Sequence, residues 1–184
     1  MKKIIGFLIV ILVLGGITVN IFAQANNITT VFLVRHAEKV ADGSNDPELT
    51  AAGKERAVEL ARVLSEADLD AVISTNYKRT RNTAEPSAKS KKLQTEIIPS
   101  LRTNDLKNYL DETLVKYKGG KILIVSHSNV VPLLIKLIRQ EEPRDIKNLD
   151  DNAYDDLFVV SFTDRAKAEV LNLKYGKRSP VKNQ

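Results

Sequence analysis

The sequence predicts an α/β protein with a mainly parallel central sheet, an antiparallel edge strand and helices on both faces. Three observations carry that prediction. Short apolar runs alternate with segments whose apolar residues recur every three or four positions, the order of successive βαβ units. Two of the runs, Val31 to Val34 in VFLVRHAEK and Ile122 to Val125 in KILIVSHSN, are apolar throughout, as strands buried on both faces are. Two further strand-like runs, Leu157 to Phe162 and Ala168 to Tyr175, flank Thr163-Asp164-Arg165 and read as a closing hairpin.

The elements follow in order. Residues 1–25 stand apart: Lys2 and Lys3 precede an apolar stretch from Ile4 to Phe22, then an A-x-A pattern, Ala23-Gln24-Ala25. That reads as an export signal, so a periplasmic or secreted location is expected. An uncleaved membrane anchor over 4–22 is the alternative, because about 18 apolar residues can just span a bilayer. A single domain is expected over 26–176, with 177–184 as a polar tail. Thr30 to Val34 is the first strand, and Asp42-Gly43 and Asp46-Pro47 mark 41–48 as loop. Thr50 is placed to cap a helix with an apolar side of Ala57, Leu60, Ala61 and Leu64. Ala71 to Ile73 is the second strand, and 77–89 a helix that Pro86 should bend or end early. Leu93 to Ile98 is the third strand. Leu106, Tyr109, Leu110, Leu114 and Tyr117 make one stripe of the next helix, stopped by Gly119-Gly120. Lys121 to Val125 is the fourth strand, followed by a strongly apolar helix from Val130 to Ile138.

Composition narrows the function. The chain of 184 residues is 43% hydrophobic and 28% charged, which suits one globular domain after the leader. It has no cysteine, so a disulfide framework, a thiol nucleophile and a lipidated cysteine are all excluded. The net charge of +5 becomes +3 without Lys2 and Lys3 (26 basic residues against 23 acidic). That small excess with no Trp argues against a nucleic-acid partner.

There are only two histidines, and each follows a buried strand. In open α/β sheets ligands bind beyond the carboxyl ends of the strands. Arg35, His36 and His127 are therefore expected at one sheet edge. An imidazole nitrogen is a competent nucleophile for phosphoryl groups, and guanidinium forks match phosphate oxygens in pairs. The segment STNYKRTRNTAE, residues 74–85, adds Arg79 near a helix start, where anions are already favoured, with Ser74, Thr75 or Asn76 available as cap. Asn129 would cap the helix after His127, which puts Pro132 in the first turn, where it removes no helical hydrogen bond.

These pieces resemble the histidine phosphatase superfamily, with its phosphoglycerate-mutase-like fold. LVRHAEK looks like the signature R-H-G/A-E, and PELTAAGKERA is similar to the L-T-x-x-G-x-x-x-A helix start. STNYKRTRNTAE resembles S-S-P-L-x-R-A-x-x-T-A-E, and IVSHSNVVP looks like V-x-H-x-N. The four matches come in family order and lie within residues 30–162. The resemblance implies a compact, phosphohistidine-phosphatase-sized domain whose nucleophile is His36, with Arg35, Arg79 and His127 holding the phosphoryl oxygens. It implies no metal and no cofactor, and a phosphorylated small molecule or a phosphoprotein as substrate. Glu38 and Asn129 are candidates for substrate contact. Any membrane contact would come only through the N-terminal segment.

The chain departs from the family in its acid. Mutase-like members carry a glutamate after the third strand, where this sequence reads Leu101-Arg102-Thr103, and another branch has an aspartate where Ser128 stands. Candidates for a replacement proton donor are Glu38, Asp46 and Asp105. Without such an acid, substrates with good leaving groups are favoured, phosphoramidates and activated esters among them. The other readings are an inactive relative that keeps the pocket as an anion-binding module, a mutase-type phosphotransferase, and a zinc site from both histidines with Glu38 or Asp46.

Overall fold

In the computed structural model, which describes residues 27–179, the chain alternates strand and helix from the first described element to the closing hairpin. The export signal or anchor predicted at the N-terminus lies outside those residues. No helix among the described residues is long and apolar enough to cross a membrane. The elements are β1 (Thr29–Arg35), α1 (Ala51–Val63), β2 (Ala71–Thr75), α2 (Lys78–Ser90), β3 (Thr95–Ile98) and α3 (Thr103–Lys116). They continue with β4 (Lys121–Ser126), α4 (Val130–Ile138), β5 (Asp156–Phe162), a 3₁₀ turn (Arg165–Lys167) and β6 (Glu169–Lys174).

The six strands lie in the order β3-β2-β4-β1-β5-β6. The first four are mutually parallel; β5 is antiparallel to β1, and β6 to β5. The reversed strand is thus one place in from the edge, and the edge strand β6 runs with the parallel four. The short connection through the 3₁₀ turn requires this, because it can only join antiparallel neighbours.

Pleating divides the core into two layers, giving an α/β/α sandwich. Val31, Leu33, Ile73, Ile122 and Ile124 face Leu106, Leu110 and Leu114 of α3 and Val131, Leu134 and Ile138 of α4. Val34, Val72, Leu123 and Val125 face Leu60 and Leu64 of α1 and Ala84 and Ala88 of α2. The stripe predicted for α3 is the buried one, with Tyr109 and Tyr117 packed beside it.

Three local features depart from sequence expectation. Helix α2 runs through Pro86 to Ser90. Burial of Ala84, Ser87 and Ala88 offsets the roughly 3 kcal/mol that an interior proline costs. Strand β3 starts at Thr95 instead of Leu93, because Lys92 turns left-handed (φ +57°) and the Leu93 N–H donates to the Ala88 carbonyl at 2.9 Å, closing α2. Two residues of the segment expected as a polar tail also contact the domain. The Lys177 carbonyl accepts from Arg56 Nη2 (2.8 Å), and Ser179 Oγ accepts from the Tyr154 N–H (2.9 Å).

Thr50 caps α1 as predicted, accepting from the Gly53 N–H at 3.0 Å. Gly53 itself lies against the β1–α1 connection. A Cβ there would sit 2.2 Å from the Glu38 carbonyl oxygen, so any side chain would force α1 away from the segment that follows His36.

Candidate active site

Strand register brings the two histidines together. In the β1–β4 pair Val34 lies opposite Val125 and Arg35 opposite Ser126, so His36 and His127 are the next residues on two adjacent parallel strands. The His36 N–H continues the ladder to the Ser126 carbonyl at 2.8 Å. The ring centroids stand 5.6 Å apart with planes at 67°. They open into a cleft of about 560 Å³ beyond the carboxyl ends of the strands, shared with Arg35, Arg79, Tyr77 and Asp151.

His36 is oriented by its own backbone. Its Nδ1 lies 2.8 Å from the Ala37 carbonyl. A carbonyl can only accept, so Nδ1 carries the hydrogen and Nε2 presents a lone pair. Burial, followed by the charge of Arg35, the nearby His127 and Arg79, pulls the His36 pKa down to about 3, against a smaller upward pull from the Ala37 hydrogen bond. His127 is held through Nε2, hydrogen-bonded to Thr75 Oγ1 at 3.0 Å; Thr75 Oγ1 is in turn 2.8 Å from Thr80 Oγ1. Burial and then Arg79 and Arg35 lower its pKa to about 4. Both rings are neutral at neutral pH, the state a nitrogen nucleophile requires.

The arginines enter from two sides. Arg35, at the end of β1, donates Nη1 to the carbonyls of Asp150 (3.0 Å) and Asp151 (2.8 Å) and stacks 4.4 Å over the Tyr154 ring. Arg79, in the first turn of α2, donates Nη1 to the Asn45 carbonyl (3.3 Å), pairs with Asp46 at 3.7 Å and stacks 4.4 Å over Tyr77. The Nε of each is buried without a hydrogen-bond partner among the described residues. Thr83 ties the two halves together. Its hydroxyl accepts from the Ala37 N–H (2.9 Å) and donates to the Arg79 carbonyl (2.7 Å), which sets the spacing between His36 and the start of α2.

Of the other candidates, Asn129 lines the cleft and Asp46 stands beside Arg79, whereas Glu38 and Asp105 are held away from the cleft. Glu38 does not face the cleft. Burial pushes its carboxyl pKa up, but hydrogen bonds from Arg56 Nε (3.0 and 2.9 Å) and Nη2 (2.7 Å) prevail and lower it. Its work is to clamp the β1–α1 connection onto α1. Asp46 does the capping expected of Ser74, Thr75 or Asn76, accepting from the Lys78 N–H at 2.8 Å. Asp105, on exposed surface, accepts from Ser100 Oγ at 2.7 Å. Asn129 does line the cleft but makes no side-chain cap, because it is already α-helical (φ −89°, ψ −23°) and the His127 carbonyl receives the Val130 and Val131 N–H groups. Among the described residues no three His, Asp or Glu side chains converge to hold a metal ion.

Sequence reasoning offered Thr75 only as a helix cap and missed Thr80, Thr83, Tyr77, Tyr154 and Asp151 as site residues. The three threonines sit where strand β2 meets α2, inside the quoted STNYKRTRNTAE segment, and could have been found as hydroxyls on the buried face of a helix start. Tyr154 and Asp151 come from an irregular stretch with no periodicity to flag them.

Residues 31–109 match the family model of the histidine phosphatase superfamily (branch 1), a span that includes Arg35, His36 and Arg79. No curated protein sequence is detectably similar. Solved structures share the fold at low identity. A mycobacterial glucosyl-3-phosphoglycerate phosphatase is 13% identical with a TM-score of 0.65, over 80% of this chain and 98% of that one. The α-ribazole phosphatase of Shigella flexneri is 19% identical with a TM-score of 0.63, over 84% and 100%. The protein histidine phosphatase SixA, complexed with tungstate, is 19% identical with a TM-score of 0.58, over 79% and 96%. Over residues 31–109 the chain is thus similar to branch 1 of the histidine phosphatase superfamily, and it shares the fold of solved histidine phosphatases.

Proposed function

We propose that the protein hydrolyses a phosphomonoester or phosphoramidate through a covalent phosphohistidine on His36, without a metal ion. The observation that carries this is one cleft lined by an imidazole with a free Nε2 lone pair and by two arginines whose buried Nε–H groups have no hydrogen-bond partner among the described residues. Buried donors of that kind are costly to leave unpaired, and a tetrahedral oxyanion would satisfy both at once. The Nε2 lone pair of His36 attacks phosphorus as the bond to the leaving oxygen or nitrogen breaks and its electron pair departs with that group. Arg35 and Arg79 take up the charge that develops on the equatorial oxygens, and His127 flanks them. Water then releases phosphate. The apolar wall of the cleft, Leu101 and Leu133, and the stacked Tyr77 suit a leaving group of mixed character, while Glu38 is held by Arg56, Asp46 by the Lys78 N–H and Arg79, and Asp105 by Ser100, so that in this reading none serves as the acid. Substrates whose leaving group departs without protonation are therefore the ones expected.

The expected outcome with p-nitrophenyl phosphate in EDTA is turnover by residues 26–184 that falls by ~10⁴-fold or more in His36→Ala, since no neighbouring group replaces the nucleophile. An active His36→Ala, or loss of activity on chelation, would overturn the proposal. An anion-binding module is the reading left if phosphate binds and wild-type protein turns nothing over.

A further inference from the structure

We infer that Asp151 is the general base for the second half of the reaction, taking a proton from the water that attacks the phosphohistidine; this rests on the reading of His36 as nucleophile. Among the described residues Asp151 is the one carboxylate lining the cleft. It comes from the stretch between α4 and β5, at the end of the molecule opposite in sequence to His36, and three contacts fix its backbone there. The Asp151 carbonyl accepts from Arg35 Nη1, the Leu149 N–H donates to the Ser128 carbonyl at 3.0 Å, and Asp150 Oδ1 accepts from the Asn152 N–H at 2.8 Å. Arg35 and Ser128 belong to the strand ends that carry the two histidines, so the loop is built onto the site itself. The side chain is left out of this scaffold: it is 89% exposed, with an oxygen 4.0 Å from Arg35 Nη2. That side chain therefore stands where the cleft meets solvent, the source of the attacking water.

The step balances as follows. The water oxygen bonds to phosphorus and the P–Nε2 bond breaks, its electron pair returning to Nε2, while one water hydrogen passes to Asp151 and then to solvent. Inorganic phosphate leaves and His36 is again neutral with its hydrogen on Nδ1.

The test separates the two half-reactions. Protein is loaded with p-nitrophenyl phosphate and quenched, and acid-labile, alkali-stable phosphate on the chain is measured with time, then its decay after dilution into substrate-free buffer. Asp151→Asn is expected to load at the wild-type rate, since p-nitrophenolate needs no acid, and to lose phosphate about 10–100 times more slowly. Asp151→Glu should recover part of the decay rate. Wild-type decay in Asp151→Asn overturns the inference and leaves the nucleophile standing; slowed loading overturns it too, because it places Asp151 in the first half-reaction. If wild-type protein never acquires acid-labile phosphate, the nucleophile assignment fails and this inference with it.

Discussion

Two arginines flank the histidine pair, and they are built on opposite plans. Each guanidinium lies 4.4 Å over a tyrosine ring, and each Nε is buried with no partner among the described residues. The rest differs. Arg35 is 6% exposed at the end of a central strand, and neutral backbone carbonyls occupy its Nη1. The carboxylate that faces it, Asp151, is 89% exposed and 4.0 Å from Nη2, so most of the arginine's charge is left for a ligand. Arg79 is 14% exposed at a helix start, and Asp46, 3.7 Å away, already answers part of its charge. Carbonyl anchoring holds a cation in place without neutralising it, whereas a carboxylate holds it and competes with the incoming anion. Arg35 is thus a preorganised donor, and Arg79 one that must loosen a partner when phosphate arrives.

That contrast can be broken by substitution. Arg35→Ala is expected to lower kcat/KM by ~10³-fold, at the top of what one oxyanion donor supplies. It should also lower the melting temperature by a few degrees, because the Asp150–Ala153 carbonyls lose their donor. Arg79→Ala is expected to cost ~10²-fold with little change in melting temperature. Equal effects of the two would mean that the scaffolding difference has no functional consequence.

Asp46→Asn sharpens the comparison from the other side. Asparagine keeps the oxygen that caps Lys78 and removes only the charge facing Arg79. Inorganic phosphate should then inhibit about two- to fivefold more tightly, the range of a partly exposed ion pair. Weaker inhibition would show that Asp46 serves the helix start and not the arginine.

The smallest effect is electrostatic. The chain has only two histidines, so their ring resonances can be followed individually by NMR. Both pKa values are lowered, first by burial, so the neutral form persists as pH falls and is lost only near 3 for His36 and near 4 for His127. The signals should therefore stay flat between pH 8 and 5. After burial, Arg35 is the charge that bears most on His36 and Arg79 the one that bears most on His127. Removing Arg35 should raise the His36 midpoint more, and removing Arg79 the His127 midpoint more. A wild-type midpoint near 6.5 for either ring would contradict the burial on which the nucleophile depends.

Much of this was legible along the chain. The run Val31–Val34 and the run Ile122–Val125 are strands because uninterrupted β-branched and leucine side chains can be satisfied only with both faces covered, and Arg35, His36 and His127 follow directly from where those strands stop. Helix α4 begins and ends where its apolar pattern does. The limits were reached where partners lie far apart in sequence. Nothing near Glu38 announces Arg56, and nothing near Pro86 announces the packing that keeps α2 intact. Asp46 reads as a turn residue beside Pro47, and only folding sets it on the first turn of a helix 32 residues later.

The amino-acid order by itself determined which groups stand at the ends of the central strands, because hydrophobic periodicity and strand termination are local properties. Only the tertiary structure decided which charges remain unspent there. Whether a carboxylate or a guanidinium keeps its charge for a ligand depends on the non-local neighbour that meets it, and a one-dimensional pattern does not carry those distances.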